Sequence, residues 1–300
     1  MELRQLHYFV KVAQKEHVTQ AAEELHVAQS AVSRQIHQLE QELGVNLFVQ
    51  KGRNVQLTPA GHLFKKRIEA ILLDLERAVT EVHEFLDPER GEIRLGFPHS
   101  LGISLVPQVV AAFRKKYPNV KFRFRQGMYP LLIRELVQGD IDLAFISPFP
   151  NDHDDVSGQV ILTEQLYAIL PPNHRLANET EIELQQLAEE TFVVFSEGYS
   201  LRPIVMNACK EAGFVPKIGF EGEETDTIRG LVAAGMGVSI LPEMALHYTG
   251  PLQAVKVTLS YPQVSRTIGL IHRTHEKLPH VSNLFHTFLL QYFDEPVNTD

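Results

Sequence analysis

In the stretch HVAQSAVSRQIHQLEQELG, His26 to Gly44, short polar side chains come first and an apolar rhythm follows. Gln29, Ser30, Ser33 and Arg34 can each hydrogen-bond the edge of a base. Glutamine matches adenine, serine is permissive, and arginine takes guanine or a phosphate. Side chains this short let a helix enter a DNA major groove without being held off its floor, and Gln35 and Gln38 follow further along toward the sugar-phosphate backbone. Serines near a helix start can also simply stabilise its end, so the assignment depends on the elements that carry them. A second group is cationic: Lys51, Arg53, Lys65, Lys66 and Arg67 fall in a segment, Gly44 to Arg67, without one Asp or Glu. The whole chain carries a net charge of −9, yet from Met1 to Arg67 nine basic residues stand against six acidic ones. Phosphates respond to local cations that displace condensed counterions, so the local balance is the relevant one.

The elements needed to present these residues are legible. Leu3, Leu6, Phe9, Val10 and Ala13 recur at helical spacing. Thr19 is the expected N-cap of a second helix, in which Ala21, Ala22 and Leu25 form a small-residue face suited to a close crossing. After a turn at His26 and Val27, a third helix should bury Ala31, Val32, Ile36, Leu39 and Leu43 and end at Gly44. Three helices with a tight turn between the last two make a helix-turn-helix. Leu47 to Val49 and Val55 to Leu57, flanking the turn residues Lys51 to Asn54, predict a small hairpin or wing. Thr58 followed by Pro59 predicts a helix start.

That helix is long. Phe64, Ile68, Ile71, Leu75, Ala78, Val82 and Phe85 recur at steps of 4, 3, 4, 3, 4 and 3, a seven-residue repeat that predicts a dimerising seam. From Gly91 the pattern changes: EIRLGFP, VKFRFRQ, DIDLAFI and YAILPP predict strands, and SLVPQVVAAFRKKY, PLLIRELVQG and IRGLVAAGMG predict helices between them. Such alternation predicts βαβ units and parallel sheets, in a length sufficient for two lobes with a cleft between them.

In open α/β sheets, ligands gather at the carboxyl ends of strands, where helix starts offer unpaired N–H groups. That rule selects Ser100, Gln126, Ser147, Ser196, Ser200 and Thr225, with Arg202 as the charge partner of an anionic ligand. Serine and threonine at helix starts are ordinarily caps, so position alone is their warrant.

Composition sets outer bounds. Of 300 residues, 44% are hydrophobic and 22% charged, as in a soluble globular chain. No stretch approaches the ~18 apolar residues of a membrane span, and the first residues lack the apolar core of a secretory signal, so a cytoplasmic protein is expected. A single cysteine, Cys209, excludes an internal disulfide and a Cys-rich zinc site, and reads as a small core residue. The fourteen histidines are scattered without metal-ligand spacing, so no metal is expected. No Gly-x-Ser-x-Gly and no phosphate-cradling Gly-x-x-x-x-Gly-Lys occurs, and GMGVSI lacks the third glycine of a dinucleotide fingerprint, so an enzyme is not expected. A transport binding protein would suit the later two thirds but leaves the first third without a purpose; a purely architectural DNA protein would not need the α/β part.

AAEELHVAQSAVSRQIHQLEQELGVNLF, GRNVQLTPAG and GLVAAGMGVSILP together resemble the LysR-type transcriptional regulators of bacteria, over essentially the whole chain. HVAQSAVSRQI, LDPERG, GFPHSL, RQGMY and YPQV further resemble those members of the family that govern glutamate synthase genes. The resemblance implies a winged helix-turn-helix over residues 1–58, a dimerising linker helix over 59–87 and an effector-binding domain over 88–300. The last would be two-lobed, like the periplasmic binding proteins, with lobe I at about 91–160 and 268–300 and lobe II at about 161–267. It also implies dimers pairing into tetramers, promoter DNA and RNA polymerase as partners, and a small anionic effector such as 2-oxoglutarate or glutamate in place of a tightly held cofactor. Two departures stand out. Ala28 occupies a position where the family has a hydroxyl residue before the recognition helix, and Gln50 stands where an arginine is common, which passes its phosphate contact to Lys51 or Arg53.

Overall fold

The structure, a computed structural model, describes residues 1–52, 54–86, 91–150, 153–246 and 253–294. They fall into two compact units, Met1–Val82 and His83–Asp300.

In the first unit, helices α1 (Leu3–Lys15), α2 (Val18–Glu24) and α3 (Gln29–Leu43) precede strands β1 (Phe48–Lys51) and β2 (Asn54–Leu57) and the long helix α4 (Pro59–Leu86). Leu6, Phe9, Val12 and Ala13 of α1 are buried at helical spacing, whereas Leu3 stays exposed. Helix α2 starts ahead of the expected Thr19 cap. The ring of His17 reaches back over the first turn and accepts from the backbone N–H of Gln20 at 3.4 Å, which places Thr19 inside the helix. His26 makes the turn with φ of 54°, and Gly44 ends α3 with φ of 67°. Val32, Ile36 and Leu39 face the core, but Ala31 and Leu43 are exposed. Each helical residue rotates the side chain by about 100°, which turns Ala31 away from its buried neighbour and leaves Leu43 on the last, open turn.

β1 and β2 pair antiparallel from Phe48↔Leu57 to Lys51↔Asn54, forming the wing. Thr58 joins it to α4: its Oγ1 accepts from the N–H of Gly61 at 2.9 Å and donates to the carbonyl of Asn46 at 2.8 Å. Gly61 lies so close to the carbonyl of Leu47 that a Cβ there would collide with backbone. Phe9 is the centre of this core, with ring centroids 5.4 Å from Phe48 and 5.1 Å from Phe64.

The second unit runs β3 (Glu92–Phe97), α5 (His99–Gly102), α6 (Leu105–Lys116), β4 (Lys121–Gln126), α7 (Tyr129–Gln138), β5 (Leu143–Ile146) and β6 (Val156–Leu170). It continues with β7 (Glu181–Glu183), β8 (Thr191–Phe195), α8 (Leu201–Glu211), β9 (Lys217–Gly222), α9 (Thr225–Ala233) and β10 (Ser239–Pro242). β11 (Val255–Tyr261), β12 (Ser265–Arg273) and α10 (His280–Asp294) complete it. β3 pairs parallel with β4 and β5, and β8 with β9, as the helix-strand alternation predicts. The centre departs from that prediction. β6 is antiparallel to β12 along Val156–Gln165 and then to β10 and β11 along Leu166–Leu170, so one long strand belongs to two sheet regions in turn.

The two largest cores of this unit fall one in each lobe. The first gathers Ile93, Leu95, Phe113, Phe145, Ile268 and Phe285, and the second gathers Phe192, Phe195, Val205, Ile228 and Ile240. A buried polar knot closes the first: Asp142 accepts from the Arg94 backbone N–H at 3.0 Å, from its guanidinium at 2.5 Å, and from the hydroxyl of Ser282 at 3.1 Å. Cys209 is buried in the second, where burial pushes its thiol up to about 12, so it is an unreactive core residue.

Candidate nucleic-acid interface and ligand cleft

The N-terminal half of α3 presents Gln29, Ser30 and Arg34 to solvent, with Ser33 and Gln35 half-buried beside them and Gln38 exposed one turn beyond Arg34. Gln29 Nε2 donates to the hydroxyl of Ser33 at 3.0 Å, which orients both side chains along one face. Ala28 is the N-cap, at φ −67° and ψ 137°, and makes no side-chain cap bond. An alanine here leaves the first N–H groups of the helix to water or to an incoming anion. Replacing Ala28 by serine should therefore raise the unfolding midpoint of the first unit by several degrees, since a hydroxyl cap contributes about 1 kcal/mol. Calorimetry that found no shift would contradict this account of the cap.

Lys51 is exposed at the end of β1, beside Gly52 with its φ of 65°. Gln50 turns its amide back to the carbonyl of Gly52 at 3.4 Å, so it braces the wing tip. Arg53 lies outside the described residues. Lys66 and Arg67 are exposed on α4, where they add to the cationic surface of the unit.

The predicted seam on α4 divides. Ile68 is 3% exposed and Phe64 packs against the same core, so both serve their own domain. A heptad stripe records which residues share a helix face, not what covers them, and the first turns of α4 are covered by α1 and the wing. Ile71, Leu75, Ala78 and Val82 remain exposed, Val82 at 62%, with Val79 alongside. The side chain of Phe85 lies outside the described residues.

In the second unit a cleft opens where the carboxyl ends of β3, β5 and β8 meet the starts of α7, α8 and α9, the place where open α/β sheets hold ligands. Ser100, Ser147, Ser200 and Thr225 line it, as the strand-end rule predicts. Three other predicted residues do not. Gln126 is exposed at the end of β4, Ser196 donates to the Gly222 carbonyl at 3.4 Å, and Arg202 is held by the Phe195 carbonyl at 2.6 Å and Glu221 at 2.7 Å. Arg202 is not among the residues that line the cleft, and its Nη1 is engaged by the Glu221 carboxylate and the Phe195 carbonyl.

Tyr129, Tyr199, His99 and Glu223 complete the polar lining, and among the described residues that line it there is no Lys or Arg. Burial holds both phenols above their ordinary range, and the neighbouring Glu223, which Tyr199 hydrogen-bonds, pushes Tyr199 further. Both therefore stay protonated at neutral pH. The starts of α7, α8 and α9 meet at this cleft, and none has a side-chain cap bond. Their first N–H groups and positive dipole ends are donors that the cleft offers an anion where no Lys or Arg side chain does.

Behind the cleft wall lies an ion pair that the sequence reading missed. Arg266 on β12 and Glu164 on β6 face each other in register, with Nε donating to Oε2 at 2.7 Å. Burial lowers the Arg266 guanidinium from its ordinary range, while Glu164 opposes that shift. The available signal was a lone charge within each of two apolar strand segments, ILTEQLYAIL and VSRTIGLI, because buried charges need partners.

Residues 3–62 match the family described as bacterial regulatory helix-turn-helix protein, lysR family, and residues 86–294 match the LysR substrate binding domain. The transcriptional dual regulator GltC of Bacillus subtilis (strain 168) is 45% identical over 295 residues, 98% of each chain. The crystal structure of full-length CbnR complexed with its target DNA has a TM-score of 0.77 at 24% identity, covering 98% of this chain and 100% of that one, a likeness of fold. The effector binding domain of QuiR in complex with shikimate is 29% identical with a TM-score of 0.62, covering 68% of this chain and 98% of its own.

Proposed function

Because the chain belongs to the LysR family of bacterial transcriptional regulators, we propose that it controls genes of glutamate synthesis in response to a small anionic metabolite bound in the cleft. It is a DNA-binding regulator with an effector-binding domain, not an enzyme. The observation that carries the proposal is the pairing, in one chain, of an exposed base-reading face on α3 with an enclosed cleft into which three helix starts point. The 45% identity to GltC and the short segments HVAQSAVSRQI and RQGMY support the choice of target genes.

In this reading Gln29, Ser30, Ser33 and Arg34 contact bases, while Gln35, Gln38, Lys51 and Arg53 hold the phosphates. Ile71, Leu75, Ala78 and Val82, with Phe85, form the seam of a homodimer, and dimers associate into a tetramer on promoter DNA in the cytoplasm. Residues 88–300 bind the effector through Ser100, Ser147, Ser200 and Thr225. 2-Oxoglutarate and glutamate are the candidates. Glu223, the one carboxylate among the described lining residues, favours the ammonium-bearing glutamate by charge. Effector binding closes the lobes and changes how dimers pack, which alters promoter bending and contact with RNA polymerase, giving activation of the target and repression of the regulator's own gene.

The test is operator binding by gel shift. Arg34→Ala should weaken specific binding by roughly 10- to 100-fold, the worth of a bidentate base contact, while size-exclusion chromatography finds the oligomer intact. Unchanged affinity would remove α3 from the interface.

A further inference from the structure

The described lining carries no Lys or Arg, yet a guanidinium stands immediately behind it. Arg266 is only 3% exposed, and its Nη1 donates to the hydroxyl oxygen of Ser100, a lining residue, at 2.8 Å. Its Nε donates to Oε2 of Glu164 at 2.7 Å, and Nη2 lies 2.7 Å from the same oxygen. Glu164, 5% exposed, uses its other oxygen to accept from the backbone N–H of Met244, just after β10, at 2.6 Å.

A guanidinium has donors and no acceptor, so the Ser100 oxygen accepts and its own proton is directed away from Arg266. The other open side of Ser100 is the cleft. Ser147 lines the same cavity, is 3% exposed, and its hydroxyl has no hydrogen-bond partner among the described residues. Two buried hydroxyls with protons to give, backed by a cation, make a wall that fits an oxyanion.

We propose that Arg266 is the positioning residue for the effector's carboxylate: it fixes the Ser100 hydroxyl as a donor into the cleft and supplies the positive charge that the lining lacks. Glu164 sets the strength of that charge. It neutralises Arg266 when the cleft is empty, and the ligand's carboxylate shares the guanidinium through Ser100 when the cleft is filled. The pair joins β12 to β6 at the point where β6 is about to change partners, and Glu164 also holds the backbone after β10, so the anion's pull falls where the two lobes are stitched together. This inference rests on the cleft being the effector site.

The experiment is calorimetric titration of the full chain with 2-oxoglutarate and with L-glutamate, for wild type, Arg266→Lys, and the neutral pair Arg266→Gln with Glu164→Gln. Circular dichroism and thermal unfolding check that each is folded. The neutral pair, which removes both charges and leaves two amides able to hydrogen-bond each other, should bind roughly 10- to 100-fold more weakly. Arg266→Lys, which keeps charge and a donor for Ser100, should stay within about 10-fold of wild type. Unchanged affinity in the neutral pair overturns the proposal, as does an equal loss in both, which would mean that shape and not charge matters. If the neutral pair does not fold, the cycle of Ser100→Ala, Arg266→Met and both together decides. Losses that fall short of additivity support action through Ser100, and additive losses overturn it. Wild type binding neither probe overturns the reading of the cleft itself, and this inference with it; binding by wild type with unaffected variants overturns this inference alone.

Discussion

Phe9→Ala is expected to cost about 3–5 kcal/mol, the usual penalty for emptying a fully buried aromatic position. Phe9 has no exposed surface, and its ring lies between Phe48 of the wing and Phe64 of α4. The surrounding core of leucine, isoleucine, valine and aromatic side chains is drawn from the helices and the wing, and an alanine at its centre leaves a ring-sized gap among them. Domain stabilities are about 5–15 kcal/mol, so the loss takes up a large part of the whole. The unfolding midpoint of the first unit should fall by roughly 20 °C. Operator binding should disappear together with helical structure, unlike the loss at Arg34, which leaves the fold in place. A midpoint within about 3 °C of wild type would show that the core repacks around the gap.

Asp142→Ala should be comparably severe in the second unit. Asp142 is 2% exposed and accepts from the Arg94 backbone, the Arg94 guanidinium and Ser282. Removing one partner of a buried pair leaves an uncompensated charge and costs about 3–5 kcal/mol, which in a unit of this size lowers the midpoint by on the order of 10 °C. Ser282→Ala removes one neutral donor and should cost only about 1 kcal/mol. Differential scanning calorimetry of the two variants checks the ranking, and equal shifts would contradict the role given to the ion pair.

What could be read from the sequence was what short-range chemistry determines. The exposed start of α3, the end at Gly44, the wing and the Thr58–Pro59 entry to α4 each depend on residues within one or two turns of each other. Ser100, Ser147, Ser200 and Thr225 were found because they sit at strand ends and helix starts, a rule that needs no distant partner. The misses share one cause. Thr19 gave way to His17, Arg202 was taken by Glu221, and Phe64 and Ile68 were covered by their own domain; in each case a competing neighbour decided. The reversal of β6 and β12 against the parallel expectation, and the pairing of Glu164 with Arg266 across 102 positions, belong to tertiary structure and have only the faint trace of a charge in an apolar strand.

The late arrival of β12 and α10 has a consequence for biosynthesis. The core of lobe I is assembled from Ile93, Leu95 and Phe145 early in the chain and from Ile268, Leu270, Phe285 and Leu289 near its end, with the second lobe lying between them in sequence. On a ribosome, the first unit and then the second lobe emerge with their own partners already made, while the apolar faces of β3 and β5 wait for residues not yet translated. Contacts across so many residues are slow to form, because the intervening loop must be closed before they reward the chain. Lobe I can therefore complete its core only once β12 and α10 have been made, after every residue of the first unit and of the second lobe.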